Sequence, residues 1–103
     1  MLRSDEPEVL SSNGRSILKT PNYSERFVRV LQEGYASAET AGNILVIKTI
    51  IGMAMAVATA LDNLEFPEIV GCIAGDDTIF AAVRSAEDCQ KLQEKIRRMA
   101  ETV

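Results

Sequence analysis

The sequence predicts a small two-layer domain of the α+β class, with helices on one side of a mainly antiparallel sheet. Three observations carry that expectation. Two short apolar runs, 69–74 and 78–83, flank a Gly-Asp-Asp turn and read as a hairpin. A run rich in β-branched residues, 43–49, reads as a further strand. Two later segments repeat their apolar residues at helical spacing: Met53, Val57, Leu61 and Leu64, then Cys89, Leu92, Ile96 and Met99.

Taken in chain order, residues 1–22 mix Ser, Asn, Gly, Pro and charges of both signs without periodicity, and read as a linker or flexible arm before a domain at 23–103. Residues 27–35 fit either a strand or a short helix, because Val28, Val30 and Leu31 suit both periods. Gly34 and the Ala-Ser-Ala-Glu-Thr-Ala-Gly run after it break the pattern. The segment 52–64 is rich in Ala and Met, both strong helix formers, and a second face of it carries Met55, Thr59 and Asp62. Such a helix offers almost no charged side to water and is normally covered on more than one flank. Neither arm of the hairpin alternates cleanly with polar residues, so both of its faces look buried. Ser85 with Asp88 three residues on is an N-cap pattern. It starts a last helix running to about Thr102, with Glu87–Lys91 and Glu94–Arg98 at i, i+4. One domain of this size cannot cover every apolar surface listed by these patterns, and other copies of the chain are the economical cover.

Composition narrows the function. The 103 residues carry a formal charge of −4, with only a short basic cluster at Lys95, Arg97 and Arg98. A nucleic-acid binder usually shows a basic stripe that replaces counterions on phosphate, so this chain is not expected to grip DNA by itself. There is no histidine. Ser–His and Cys–His nucleophile pairs and imidazole-dependent metal sites are therefore excluded, and neither a catalytic nor a metal site is expected. Cys72 and Cys89 lie in separate elements without metal-type spacing and read as reduced thiols. The longest apolar run, 50–61, is shorter than the roughly 20 residues of a membrane span, and nothing at the N-terminus has the form of a signal peptide. The expectation is a cytoplasmic domain without enzymatic activity.

One constellation stands out: Ala74-Gly75-Asp76-Asp77-Thr78, with Asp62 upstream. Adjacent carboxylates at a hairpin tip ordinarily satisfy turn backbone. Here the flanking arms are strongly apolar, and a carboxylate at a partly desolvated edge favours a cation such as a guanidinium, which can bind it through two parallel hydrogen bonds. A magnesium site or an acid/base pair are competing uses, and neither has a supporting motif.

The stretch 71–80, Gly-Cys-Ile-Ala-Gly-Asp-Asp-Thr-Ile-Phe, resembles the Gly-Thr-Ile-x-Gly-Asp-Asp-Thr motif of bacterial arginine repressors. Residues 43–49 followed by Gly52 resemble the family's first firm strand and its Gly turn, and 61–64 look like the end of its middle helix. The resemblance spans about 27–103. It implies a β-β-α-β-β-α unit with a four-stranded sheet, forming homotrimers of which two stack as a hexamer. It also implies L-arginine as corepressor, with no other cofactor, bound between trimers, and a role in repressing arginine genes. By the same resemblance Asp76 and Asp77 take the ligand's charged groups, one of these carboxylates coming from the facing trimer. Asp62 lines the pocket, and Ala74 and Gly75 meet the ligand through backbone groups. The two-strand opening of the family favours a strand at 27–35.

The sequence departs from the family at three positions near this site. Pro is replaced by Ile51, a Gln that can hold the ligand's backbone end by Met55, and the Thr of the acidic motif by Cys72. The family's winged helix-turn-helix, through which operator DNA is bound, has no counterpart in these residues. The alternative function is an assembly module that has lost arginine binding or takes another small amino-acid-like ligand.

Overall fold

The structure, a computed structural model, describes residues 23–101. The arm expected at 1–22 and the expected helix end at Thr102 lie outside them. The elements run α1 (Tyr23–Gly34), β1 (Tyr35–Ala41), β2 (Ile44–Thr49), α2 (Ala54–Leu64), β3 (Ile69–Ala74), β4 (Thr78–Val83) and α3 (Ala86–Glu101). The four strands form one antiparallel sheet in the order β1-β2-β4-β3. This is the expected β-β-α-β-β-α unit, preceded by a helix.

That helix corrects one expectation. Residues 27–35 are not a strand: the segment up to Gly34 is helical, and the strand begins at Tyr35. Phe27, Leu31 and Gly34 fall at i, i+4 and i+7, and Leu31 and Gly34 are buried where α1 packs on α2 and α3. The opening strand is instead the run of small residues that broke the sequence pattern. It is strand because it pairs with β2, from Ser37 opposite Lys48 to Ala41 opposite Ile44.

One face of the sheet is covered. Leu45 and Ile47 of β2 and Ile79, Ala81 and Val83 of β4 point into a core closed by Leu31, Val57, Leu61, Cys89, Leu92 and Ile96. This buried apolar surface is the main favourable contribution to folding. Helix α3 lies over β1 and β2, and Gln93 Nε2 donates to the Ala38 carbonyl at 2.7 Å. Helix α2 lies over β3 and β4 and is flanked by α1. The contact is close at Gly34, where an added Cβ would lie 2.6 Å from Val57 Cγ2. The Ala-rich helix thus receives part of its expected second cover from within the chain. At α3, the Ser85 hydroxyl accepts from the Asp88 amide at 3.0 Å, and Glu94 takes Arg97 and Arg98.

The other face of the sheet is open. Val46, Phe80 and Ile73 stand opposite one another across β2, β4 and β3, and Phe80 and Ile73 line a shallow hollow of about 680 Å³ with Ile44 and Ala82. Phe80 is 56% and Ile73 78% exposed. The hairpin is apolar on both sides, as read from the sequence, but within one chain only one side is buried.

Candidate ligand site at the acidic hairpin

The turn between β3 and β4 is fixed by its backbone. Gly75 donates to the Thr78 carbonyl at 2.8 Å, closing the hairpin. The Asp77 carbonyl accepts from the Thr49 amide at 2.8 Å, and the Asp76 carbonyl accepts from Gly52 at 3.1 Å and Ala54 at 3.4 Å. The first amides of a helix have no partner within it. Here Met53 provides no side-chain cap, and the acidic turn supplies the acceptor instead. Gly52 reaches it with φ at +87°, a conformation that glycine adopts without a steric penalty.

With their carbonyls committed, the two aspartates differ in their side chains. The Asp76 carboxylate is exposed and accepts no side-chain hydrogen bond among the described residues. Asp77 is half-buried, and its Oδ1 accepts from the Thr78 hydroxyl at 2.9 Å. That hydroxyl in turn accepts from Lys48 Nζ at 3.0 Å. The backbone of Asp76 meets the N-terminal end of α2, where the helix dipole favours negative charge. Ile50, Ile51 and Met55 are exposed around the same corner, Met55 by 70%. The result is an anionic tip next to an apolar shelf, which suits a cation carried on an aliphatic stem.

The other site residues divide in two. Ala74 and Gly75 belong to the tip, and Met55 stands in the first turn of α2 beside it. Asp62 is in the last turn of α2, eight residues beyond Ala54, which places it about 12 Å further along the axis. There it meets Cys72 of β3, whose Sγ donates to Asp62 Oδ1 at 3.6 Å. Burial and then the neighbouring Asp62 carboxylate push the Cys72 thiol up to about 11. One chain therefore gathers Asp76, Asp77, Ala74, Gly75 and Met55 at one end of α2, and Asp62 with Cys72 at the other.

Lys48 was not given a part in the site from sequence, and Thr78 only as the end of the acidic motif, although both support Asp77. Their contact depends on the pairing of Lys48 with Thr78 across β2 and β4, thirty residues apart. A lone lysine at the end of an apolar strand is the only local trace of it. Elsewhere, Lys95 bonds Glu68 at 2.7 Å and holds its carboxyl below the usual range. Among the described residues no group of three potential metal ligands is gathered, and no helix is long and apolar enough to cross a membrane.

A family profile described as "Arginine repressor, C-terminal domain" matches residues 31–98. A protein of Lachnospira eligens named arginine repressor is 54% identical over 79 residues, covering 77% of this chain and 52% of that protein. Its namesake in Lachnoclostridium phytofermentans is 50% identical over 76 residues, covering 74% and 50%. The one in Caldicellulosiruptor bescii is 40% identical over 95 residues, covering 87% and 62%. The chain spans about half the length of the first two relatives. The acidic hairpin, the strand before it and the end of α2 all lie within the matched residues, and by its C-terminal domain the chain belongs to the arginine repressor family.

Proposed function

We propose that this chain assembles subunits and binds L-arginine as corepressor for a transcriptional regulator of arginine genes. The observation that carries the proposal is the acidic tip. Two adjacent aspartates are anchored by their backbone carbonyls, Asp76 to the start of α2 and Asp77 to the end of β2, and the Asp76 side chain is exposed beside an apolar shelf. Nothing in that arrangement requires the charges for folding, because the turn and the helix start are satisfied by carbonyls. A guanidinium can take both lone-pair directions of such a carboxylate, and the ligand's aliphatic stem can lie on Ile51 and Met55.

Asp62 sits too far along α2 to join the tip around one compact ligand, so the proposed site is completed between copies of the chain. The open apolar sheet face supports self-association. The form proposed is a homotrimer, with two trimers stacking as a hexamer in the presence of arginine. Operator DNA is engaged through a winged helix-turn-helix outside these residues, which agrees with the acidic charge of this domain. The work is regulatory rather than enzymatic and is placed in the cytoplasm.

Sedimentation velocity at micromolar concentration tests the assembly. A trimer that shifts to a hexamer with L-arginine is expected, because a ligand that binds only the assembled state stabilises it by mass action. A monomer under both conditions contradicts the proposal.

A further inference from the structure

Asp62 stands in an electrostatically poor place. It is in the last turn of α2, where the backbone carbonyls already present negative charge, and no basic residue lies in that turn. Its carboxylate is exposed, beside a small hollow that Glu65 also lines, so the nearest acidic neighbour adds repulsion. Among the described residues, the donor recorded to its side chain is the Cys72 thiol. Cys72 is half-buried on β3, packed against the core, and its position is set by the pairing of β3 with β4, where it faces Ala81.

We infer that Cys72 is a positioning residue for Asp62: its thiol holds one carboxylate oxygen and turns the other towards the cationic part of a bound ligand. This rests on the arginine-binding reading and sharpens it, since it moves Cys72 from the ligand's edge to a place behind Asp62. The chemistry of the thiol agrees with that role. The thiolate is the form that attacks electrophiles and binds metals, and with its ionisation pushed up to about 11 the group stays protonated at neutral pH. It therefore remains a donor wherever the ligand binds. A carboxylate fixed by one donor and open at its second oxygen loses less freedom on meeting an ammonium or guanidinium than a freely rotating one.

The test uses the whole chain with Cys72→Ala, Cys72→Ser and Asp62→Asn, singly and combined. By calorimetry with L-arginine, Cys72→Ala is expected to weaken binding roughly three- to ten-fold, about the value of one modest hydrogen bond. Cys72→Ser restores a donor and is expected to bind within about two-fold of the parent. Adding Cys72→Ala to Asp62→Asn is expected to cause no further loss. A second measurement needs no ligand: the pH midpoint of Cys72 alkylation by iodoacetamide, with the fully buried Cys89 silent and Cys72→Ser as the blank. Asp62→Asn is expected to move that midpoint down towards the ordinary thiol value of about 8.5. If Cys72→Ala binds arginine like the parent while Asp76→Asn does not, the positioning role is overturned and the arginine site stands. If the parent takes no arginine, the site reading and the positioning role both fall. An alkylation midpoint unmoved by Asp62→Asn overturns the thiol–carboxylate contact itself.

Discussion

The carbonyl oxygen of Asp76 lies 3.1 Å from the amide nitrogen of Gly52, so the tip of the β3–β4 hairpin anchors the start of α2. The acidic tip and the first turn of α2 form one unit. A side chain in that turn is presented to whatever the tip binds.

Met55 is that side chain. It fills space but offers no donor and only a weak acceptor. Met55→Gln is expected to tighten L-arginine binding by about 0.5–1.5 kcal/mol, one net hydrogen bond. If Met55 instead packs against a neighbouring subunit, the amide is buried without a partner and assembly loosens. Calorimetry and sedimentation on both proteins separate these: looser assembly without tighter binding contradicts the role given to this position.

The open sheet face makes its own prediction. Ile73→Asp or Phe80→Asp places a charge in the row Val46–Phe80–Ile73, while the inward residues Ile79 and Ala81 are untouched. Either substitution is expected to give a folded monomer, with the far-ultraviolet circular dichroism of the parent. Unchanged sedimentation in both variants would remove this face from the interface.

Gly34 tests the packing of α1. Its added Cβ would meet Val57 Cγ2 at 2.6 Å and Met53 Cε at 3.2 Å, and Val57 is wholly buried. Gly34→Ala gains helix propensity of up to about 1 kcal/mol but must push α1 from α2, which costs about 1–3 kcal/mol. A lower urea midpoint with an unchanged slope is expected. A higher midpoint would show that α1 adjusts freely.

These residues also show where the sequence was legible. The two later helices were read correctly from their periodicity, with Val57 and Leu61 facing the core from α2 and Cys89, Leu92 and Ile96 from α3, and the hairpin arms from two apolar runs around a Gly-Asp-Asp turn. Strand β1 has no such signal, since Tyr-Ala-Ser-Ala-Glu-Thr-Ala becomes a strand through β2 rather than by propensity. Helix α1 was not decided by the sequence, because Val28, Val30 and Leu31 fit either period, and the family resemblance favoured a strand there. The acidic tip was visible as a motif. Its support from Lys48 and Thr78, and the pairing of Cys72 with Asp62, were not, because both join segments that meet only in the folded sheet and helix layers.

The central claim is that the tip carboxylates bind the cationic end of L-arginine. Calorimetric titration of the chain with L-arginine and with its neutral isostere L-citrulline, repeated on Asp76→Asn and Asp77→Asn, tests it most directly. The parent is expected to bind arginine and to discriminate against citrulline. Each variant is expected to lose about 1.5–3 kcal/mol of arginine binding, as for a charge-assisted hydrogen bond, while remaining folded. Equal affinity for the two ligands, or arginine affinity unchanged in both variants, would contradict the account and leave the aspartates with a purely structural part in the turn.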